Sequence, residues 1–244
     1  MATTARAPIE PITPNPNASL WDWGWLRRSQ PLERMRLLAI ARAHGWDANA
    51  LACIIHRESG GDPGAVNPHT GASGLIQWMP QTAKDYQTTV GKIRRMGALD
   101  QLALAERYWK NVYRTPPPDV GDYYMGGFLP EYMGAPEDTL LELKGQPAVK
   151  GKPLYDQNAG LDWNGDGQLT ASDVRSTFRA TYATFQRLRD SGAIGDLNIS
   201  APAVGPPPRS PFGGGRSGKP WAWVAAGTLA TGALVTIAVR RLRP

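Results

Sequence analysis

One glutamate in this chain stands where a carboxyl group should keep its proton. The stretch from Leu51 to Pro80 reads LACIIHRESGGDPGAVNPHTGASGLIQWMP. Asp47 is placed to cap a helix beginning near Ala48. Leu51, Ile54 and Ile55 recur at helical spacing as one apolar stripe, and Glu58, four residues after Ile54, continues it. Ser59-Gly60-Gly61-Asp62-Pro63 cannot prolong a helix, so Glu58 lies in the last turn. An apolar wall penalises the charged carboxylate, and the negative end of the helix dipole does the same. A carboxylic acid retained near neutral pH is the group needed to protonate a glycosidic oxygen. The alternative is a solvated helix-end carboxylate paired with Arg57 or His56.

The residues after the glutamate decide between these. Glu58-Ser59-Gly60 is followed by a Gly/Asn/Pro loop containing Asn67-Pro68, then by Gly74-Leu75-Ile76-Gln77-Trp78-Met79-Pro80. This segment resembles the catalytic core of the lytic transglycosylases, relatives of goose-type lysozyme. The resemblance implies cleavage of the β-1,4 bond between N-acetylmuramic acid and N-acetylglucosamine in peptidoglycan. It assigns both proton transfers to Glu58, which protonates the leaving oxygen and then, as a carboxylate, deprotonates the sugar's C6 hydroxyl to close a 1,6-anhydro ring. No second carboxylate is needed, unlike the two-carboxylate glycosidases, and Asp62 lies on the turn. Ser59 is expected to bind the substrate or orient Glu58, and Gln77 to reach the saccharide. Trp78 is either a sugar platform or core. A tyrosine from a later helix is expected to approach the glutamate; Tyr123 is assigned that place, although adjacent Tyr124 points to another face. The Ala-Tyr-Asn-Ala-Gly run of many relatives is missing there. Asn158-Ala159-Gly160 comes much later and is read as the entry to the next motif. The order of segments is closest to virion-associated phage and prophage transglycosylases.

The elements that must hold these residues read as mostly α: a lysozyme-like domain over residues 19–198. A helix starts at Pro31 and runs to about His44, with Leu32, Met35, Leu38 and Ile40 available for burial. Further helices are expected from Gln81 to about Val90, over Leu99–Trp109, from Val120 to Leu129 and over Val174–Leu188, with a short irregular β segment between Gly61 and Ser73. The aromatic segment Ser19–Leu26 is expected to cover the core. Residues 1–18 carry four prolines and no apolar run, which predicts an extended or disordered arm and not a secretory signal.

A second motif with chemistry is Asp162-Trp163-Asn164-Gly165-Asp166-Gly167-Gln168-Leu169-Thr170-Ala171-Ser172-Asp173, an EF-hand-type loop. Asp162, Asn164 and Asp166 would supply side-chain oxygens and Gln168 its carbonyl. Thr170 would act directly or through water, and Asp173 would close the site. Aspartate in that last place, where glutamate is usual, should weaken calcium or admit magnesium. The lone loop predicts a structural Ca2+ ion, with no cofactor for catalysis.

Residues 199–220 are rich in Pro, Gly and Ser and predict a flexible linker. Residues 221–239 carry no charge and as a helix would span roughly 28 Å, one hydrocarbon core. Trp221 and Trp223 suit one interface, and Arg240, Arg241 and Arg243 in the basic tail 240–244 suit the other. The expectation is a single-pass membrane protein with a cytoplasmic C-terminus, in a phage virion membrane or in a bacterial inner membrane facing the periplasm. Virion or membrane proteins are possible partners there.

Composition bounds the rest. Net charge is +6, which suits an anionic polymer such as peptidoglycan and suits nucleic acid as well, so charge alone decides little; the resemblance makes peptidoglycan the expected partner, with no nucleic acid expected. The single cysteine, Cys53, gives no internal disulfide and no cysteine metal cluster. Two other function classes remain open: a lysozyme that hydrolyses the same bond with water, and a catalytically silent wall-binding or structural virion protein.

Overall fold

The computed structural model describes residues 6–143, 154–197 and 199. The helices are α1 (Trp25–Arg28), α2 (Pro31–His44), α3 (Ala48–Ser59), α4 (Pro80–Asp85), α5 (Val90–Ile93), α6 (Ala98–Val112), α7 (Val120–Phe128), α8 (Leu154–Asn158) and α9 (Ala171–Asp190). Strands β1 (Leu140–Leu143) and β2 (Gln168–Thr170) pair antiparallel. The fold is mostly α, as the hydrophobic periodicity predicts.

Helix α3 runs through the core. Ala50, Leu51, Ala52, Cys53 and Ile55 are fully buried, and α2, α7 and α9 pack against it. Each large apolar side chain so removed from water contributes about 1.5–3 kcal/mol. The helix starts at a dense polar knot. Asp47 Oδ1 accepts from the amides of Asn49 (2.7 Å) and Ala50 (3.1 Å). Asp47 Oδ2 accepts from the Asn15 amide and the Tyr182 hydroxyl, both at 2.8 Å. The Asp47 amide donates to the Tyr123 hydroxyl at 2.8 Å. Burial raises the Asp47 pKa against the pull of these bonds.

Helices α7 and α9 are joined by buried ion pairs, Arg175 Nε to Asp122 at 2.9 Å and Arg179 Nε to Asp119 at 2.8 Å. Gly121 permits this approach, since a Cβ there would lie 2.7 Å from Arg175 Cβ. The N-terminal arm crosses the same helices. From residue 6 to 18 it forms no helix or strand, but its backbone is pinned. Ile12 N donates to Asp119 Oδ2 at 2.6 Å, Ile9 N to Ser176 Oγ at 3.0 Å, and Arg179 Nη1 to Ile9 O at 2.9 Å. Trp23 is fully buried and stacks on Phe185 at 4.1 Å, so the aromatic segment belongs to the core.

Several expectations need correcting. Leu32 is 60% exposed, on the solvent side of the first turn of α2. The helix after Pro80 stops at Asp85; Gln87 takes a left-handed φ of 59°, and the Thr89 side chain caps a separate α5 by accepting from Lys92 N. The irregular segment between Gly61 and Ser73 does form bridges, Val66 with Ser73 and Ser73 with Trp78. Ile199, anticipated as the first linker residue, packs partly buried on the core. Among the described residues no helix is long and apolar enough to cross a membrane. The anticipated span 221–239, the rest of the linker and the tail 240–244 lie outside the described residues.

Candidate active site

The C-terminal turn of α3 forms the floor of a cleft of about 1120 Å³ lined by residues of the 60–79 loop, α7, α9, α8 and the loop after it. Glu58 is half-buried there. Desolvation pushes its pKa up from 4.5 to about 7, against the opposing charge of Arg57. Neither Arg57 nor His56 pairs with it. The Arg57 guanidinium turns towards α9, donating to Thr177 O (3.1 Å) and Thr181 Oγ1 (2.8 Å), and lies 5.2 Å from the centre of the Tyr124 ring. His56 sits against Trp23 and Phe185, and burial lowers its pKa to about 4, so the ring is neutral. Cys53, one turn back, is fully buried and its thiol pKa is pushed up, which leaves it inert.

Three side chains hold this loop: Ser59 from the helix, Gln101 from α6 and Gln77 within the loop itself. Ser59 Oγ donates to Leu75 O at 2.9 Å, with Ile55 O at 3.2 Å, and accepts from Gly61 N at 3.2 Å. Gln101, fully buried on α6, accepts from Leu75 N at 2.8 Å and donates to Pro63 O at 2.7 Å and Ile93 O at 3.0 Å. Gly74 has φ 83°, and a Cβ there would lie 2.9 Å from Ile93. Gln77 adopts φ 50°, a rarely populated conformation for a residue with a side chain. Its Nε2 donates to Gly74 O at 3.0 Å, and the residue lines the cleft.

Trp78 does not line the cleft. It is fully buried and meets the rings of Tyr86 and Tyr108 edge-on at 5.3 and 5.6 Å, so it is core and not a sugar platform. The tyrosines of α7 also reverse the expected assignment. The Tyr123 hydroxyl is committed to the Asp47 amide at the opposite end of α3. Tyr124 lines the cleft with Glu58, and its hydroxyl pKa rises to about 12, first from burial and then from the charge of Glu58. Both tyrosines touch the cleft, but Tyr124 is the one coupled to the acid.

Asn158-Ala159-Gly160 also lines the cleft, as do Asp162 and Trp163 at the start of the EF-hand-type loop. This segment therefore contributes to the site and is not only an entry to the next motif. Within the loop, Asp162 Oδ1 accepts from Gly165 N (2.8 Å), and its Oδ2 accepts from Gly167 N (3.0 Å) and the Tyr155 hydroxyl (2.6 Å). Asn164 Oδ1 accepts from Asp166 N, and Asp166 Oδ1 from Gln168 N. Gly165 and Gly167 take φ 76° and 84°. Asp173 and Thr170 form a capping box at the start of α9, and Thr170 N donates to Asp173 Oδ2 at 2.9 Å. Leu169 is fully buried, and β2 pairs with β1. The side chains offered are hard oxygen donors suited to Ca2+. Among the described residues no three His, Cys, Asp or Glu side chains converge as a metal cluster.

A half-buried acid with a raised pKa in a cleft is suited to general acid–base chemistry, such as protonation of a glycosidic oxygen. Residues 37–105 match the family described as Transglycosylase SLT domain. The members of that family are peptidoglycan lytic transglycosylases, and this chain carries an enzyme domain of that class, lysozyme-like and directed at peptidoglycan. The match runs from within α2 into α6 and includes Glu58, Ser59 and the loop to Pro80. No curated protein matches the chain significantly.

Proposed function

We propose that this protein cuts the MurNAc-β-1,4-GlcNAc bond with Glu58 as its only general acid and base, leaving 1,6-anhydroMurNAc ends. One observation carries the reading: Glu58 is half-buried with a pKa lifted to about 7, so it can give a proton to the leaving oxygen and take one back in the same pH range. Asp62, the nearest acidic residue in the sequence, accepts from Gly64 N at 2.7 Å within its turn and does not line the cleft. Asp156 and Asp162 also line the cleft, but Asp162 is engaged by the Tyr155 hydroxyl and the loop amides, so the reading of one carboxyl group rests on the raised pKa of Glu58. Ser59 and Gln77 hold the wall around the acid, and Tyr124 lines the same cleft within range of its charge.

The loop from Asp162 to Asp173 binds a structural Ca2+ in this reading, held by Asp162, Asn164, Asp166, the Gln168 carbonyl, Thr170 and Asp173. The folded turns, the left-handed glycines and the oxygen-only donor set support it. The uncharged run 221–239 and the arginines after it support a membrane anchor, with local wall opening by a phage particle as the setting. Digestion of purified peptidoglycan by the full chain and its Glu58→Gln variant tests the reading. Loss of all products in a folded variant is expected. Unchanged digestion would remove Glu58 from the chemistry, and a folded wild type that releases nothing would leave a wall-binding role.

A further inference from the structure

The cleft wall opposite in sequence to Glu58 carries a charged group that no part of the chemistry above uses. Arg6, on the N-terminal arm, lies with its guanidinium carbon 3.5 Å from the centre of the Trp163 indole ring. The Trp163 Nε1–H donates to Ala7 O at 2.7 Å, so ring and arm hold each other. The arm is fixed behind this point by Ile9 and Ile12, and Trp163 is fixed by the folded loop between Asp162 and Gly167. Arg6 and Trp163 line the same cleft as Glu58. Among the described residues Arg6 makes no ion pair and no side-chain hydrogen bond, and the residue is exposed. The Arg6 fork of N–H donors is thus oriented by stacking and left open. That is the arrangement in which arginine takes a carboxylate with little ordering cost.

We infer that Arg6, propped on Trp163, is a substrate-binding residue that accepts a carboxylate of the peptide borne by the glycan strand, and so favours peptide-bearing over bare glycan. This rests on the proposed glycan-cleaving function. Arg6 pairs with neither of the acidic residues lining the same cleft, Asp156 and Asp162, and Asp162 is occupied by Tyr155 and the loop amides. A charge-assisted hydrogen bond of this kind is worth roughly tenfold or more in binding.

The test uses the full chain and its Arg6→Gln, Arg6→Lys and Trp163→Ala variants. Each digests intact peptidoglycan and the same material stripped of its peptides by an amidase. Arg6→Gln should lose about tenfold in kcat/KM on the peptide-bearing strands, mainly through KM, with no change on stripped glycan, and Trp163→Ala should lose at least as much on the peptide-bearing strands. Arg6→Lys should recover part of the loss. Equal losses on both materials, or none, would overturn the subsite while leaving the Glu58 reading standing. A second readout avoids turnover. Titration of a peptide-bearing muropeptide into the Glu58→Gln chain should show binding that Arg6→Gln weakens about tenfold. Equal binding with and without Arg6 would reject the inference.

Discussion

Ser59 Oγ donates to the Leu75 carbonyl at 2.9 Å, and this bond joins the last residue of the helix bearing Glu58 to the loop bearing Gln77. The hydroxyl also receives the Gly61 amide. Ser59 thus acts by positioning: it sets the distance between the acid and the opposite wall. Ser59→Ala should cost about 1–2 kcal/mol, because Leu75 O and Gly61 N lose a partner in a half-buried place. Thermal denaturation should show a lower Tm, and turnover on peptidoglycan should fall more than the stability loss alone explains. A variant with wild-type Tm and turnover would dismiss the tie.

Glu58 predicts a pH signature in stability as well as rate. In the unfolded chain the group ionises near 4.5, whereas in the fold it keeps its proton to about 7. Between those values the folded state holds the extra proton. Its stabilising contribution is full below 4.5 and is lost as pH rises through about 7. The Glu58→Gln variant lacks this dependence. Its Tm relative to wild type should therefore climb across that interval and level off above it. On the rate side, turnover should decline as pH passes about 7 and the acid form disappears. A difference in Tm that is flat with pH would mean that Glu58 titrates like a solvated carboxylate.

The adjacent tyrosines of α7 should separate cleanly. Tyr124→Phe removes the hydroxyl coupled to the charge of Glu58 and should lower kcat by roughly tenfold while leaving Tm close to wild type. Tyr123→Phe strands the buried Asp47 amide and should cost about 1–3 kcal/mol of stability. Paired measurements of Tm and kcat decide the matter, and the opposite pattern would restore Tyr123 as the partner of the acid.

Calcium should act on stability through the loop. With Ca2+ in excess over its Kd the wild-type Tm should rise, as binding to the folded state alone requires. Asp162→Ala should abolish that rise, since Asp162 would be the first ligand of the proposed site and organises the Gly165 and Gly167 amides. Identical melting curves in calcium and in chelator would show that the loop folds without an ion.

Much of this arrangement is legible along the chain because it is local. The Asp47 cap, the stripe of α3 and the placing of Glu58 in its last turn all follow from spacing within one helix, and α3 does run from Ala48 to Ser59. The glycine positions 165 and 167 are likewise set by a local turn. What escapes is the work of residues far apart. Gln101 reads as one polar residue on an amphipathic helix, yet it is fully buried and ties Leu75, Pro63 and Ile93 together. Its only signal is that it lies on the apolar face of α6.

The tyrosine assignment fails for a related reason. Helical geometry says that Tyr123 and Tyr124 face different ways, but not which way the helix is turned. The rotation of α7 is set by its buried ion pairs to α9, Asp122 with Arg175 and Asp119 with Arg179, across some 50 to 60 residues of chain. Trp78 is similar: the rings that enclose it, Tyr86 and Tyr108, come from beyond its own loop. Nor does spacing reveal that Asn158 and Trp163 return to the cleft beside α3.

The central claim is that Glu58 alone performs both proton transfers and that the sugar's own hydroxyl replaces water. Digestion of purified peptidoglycan in heavy-oxygen water, with the products weighed by mass spectrometry, tests it most directly. Muropeptides lighter than hydrolysis products by one water, carrying no heavy oxygen and absent when Glu58→Gln replaces the wild type, are the expected result. Products with full-mass reducing ends and one heavy oxygen each would contradict it and make the enzyme a lysozyme.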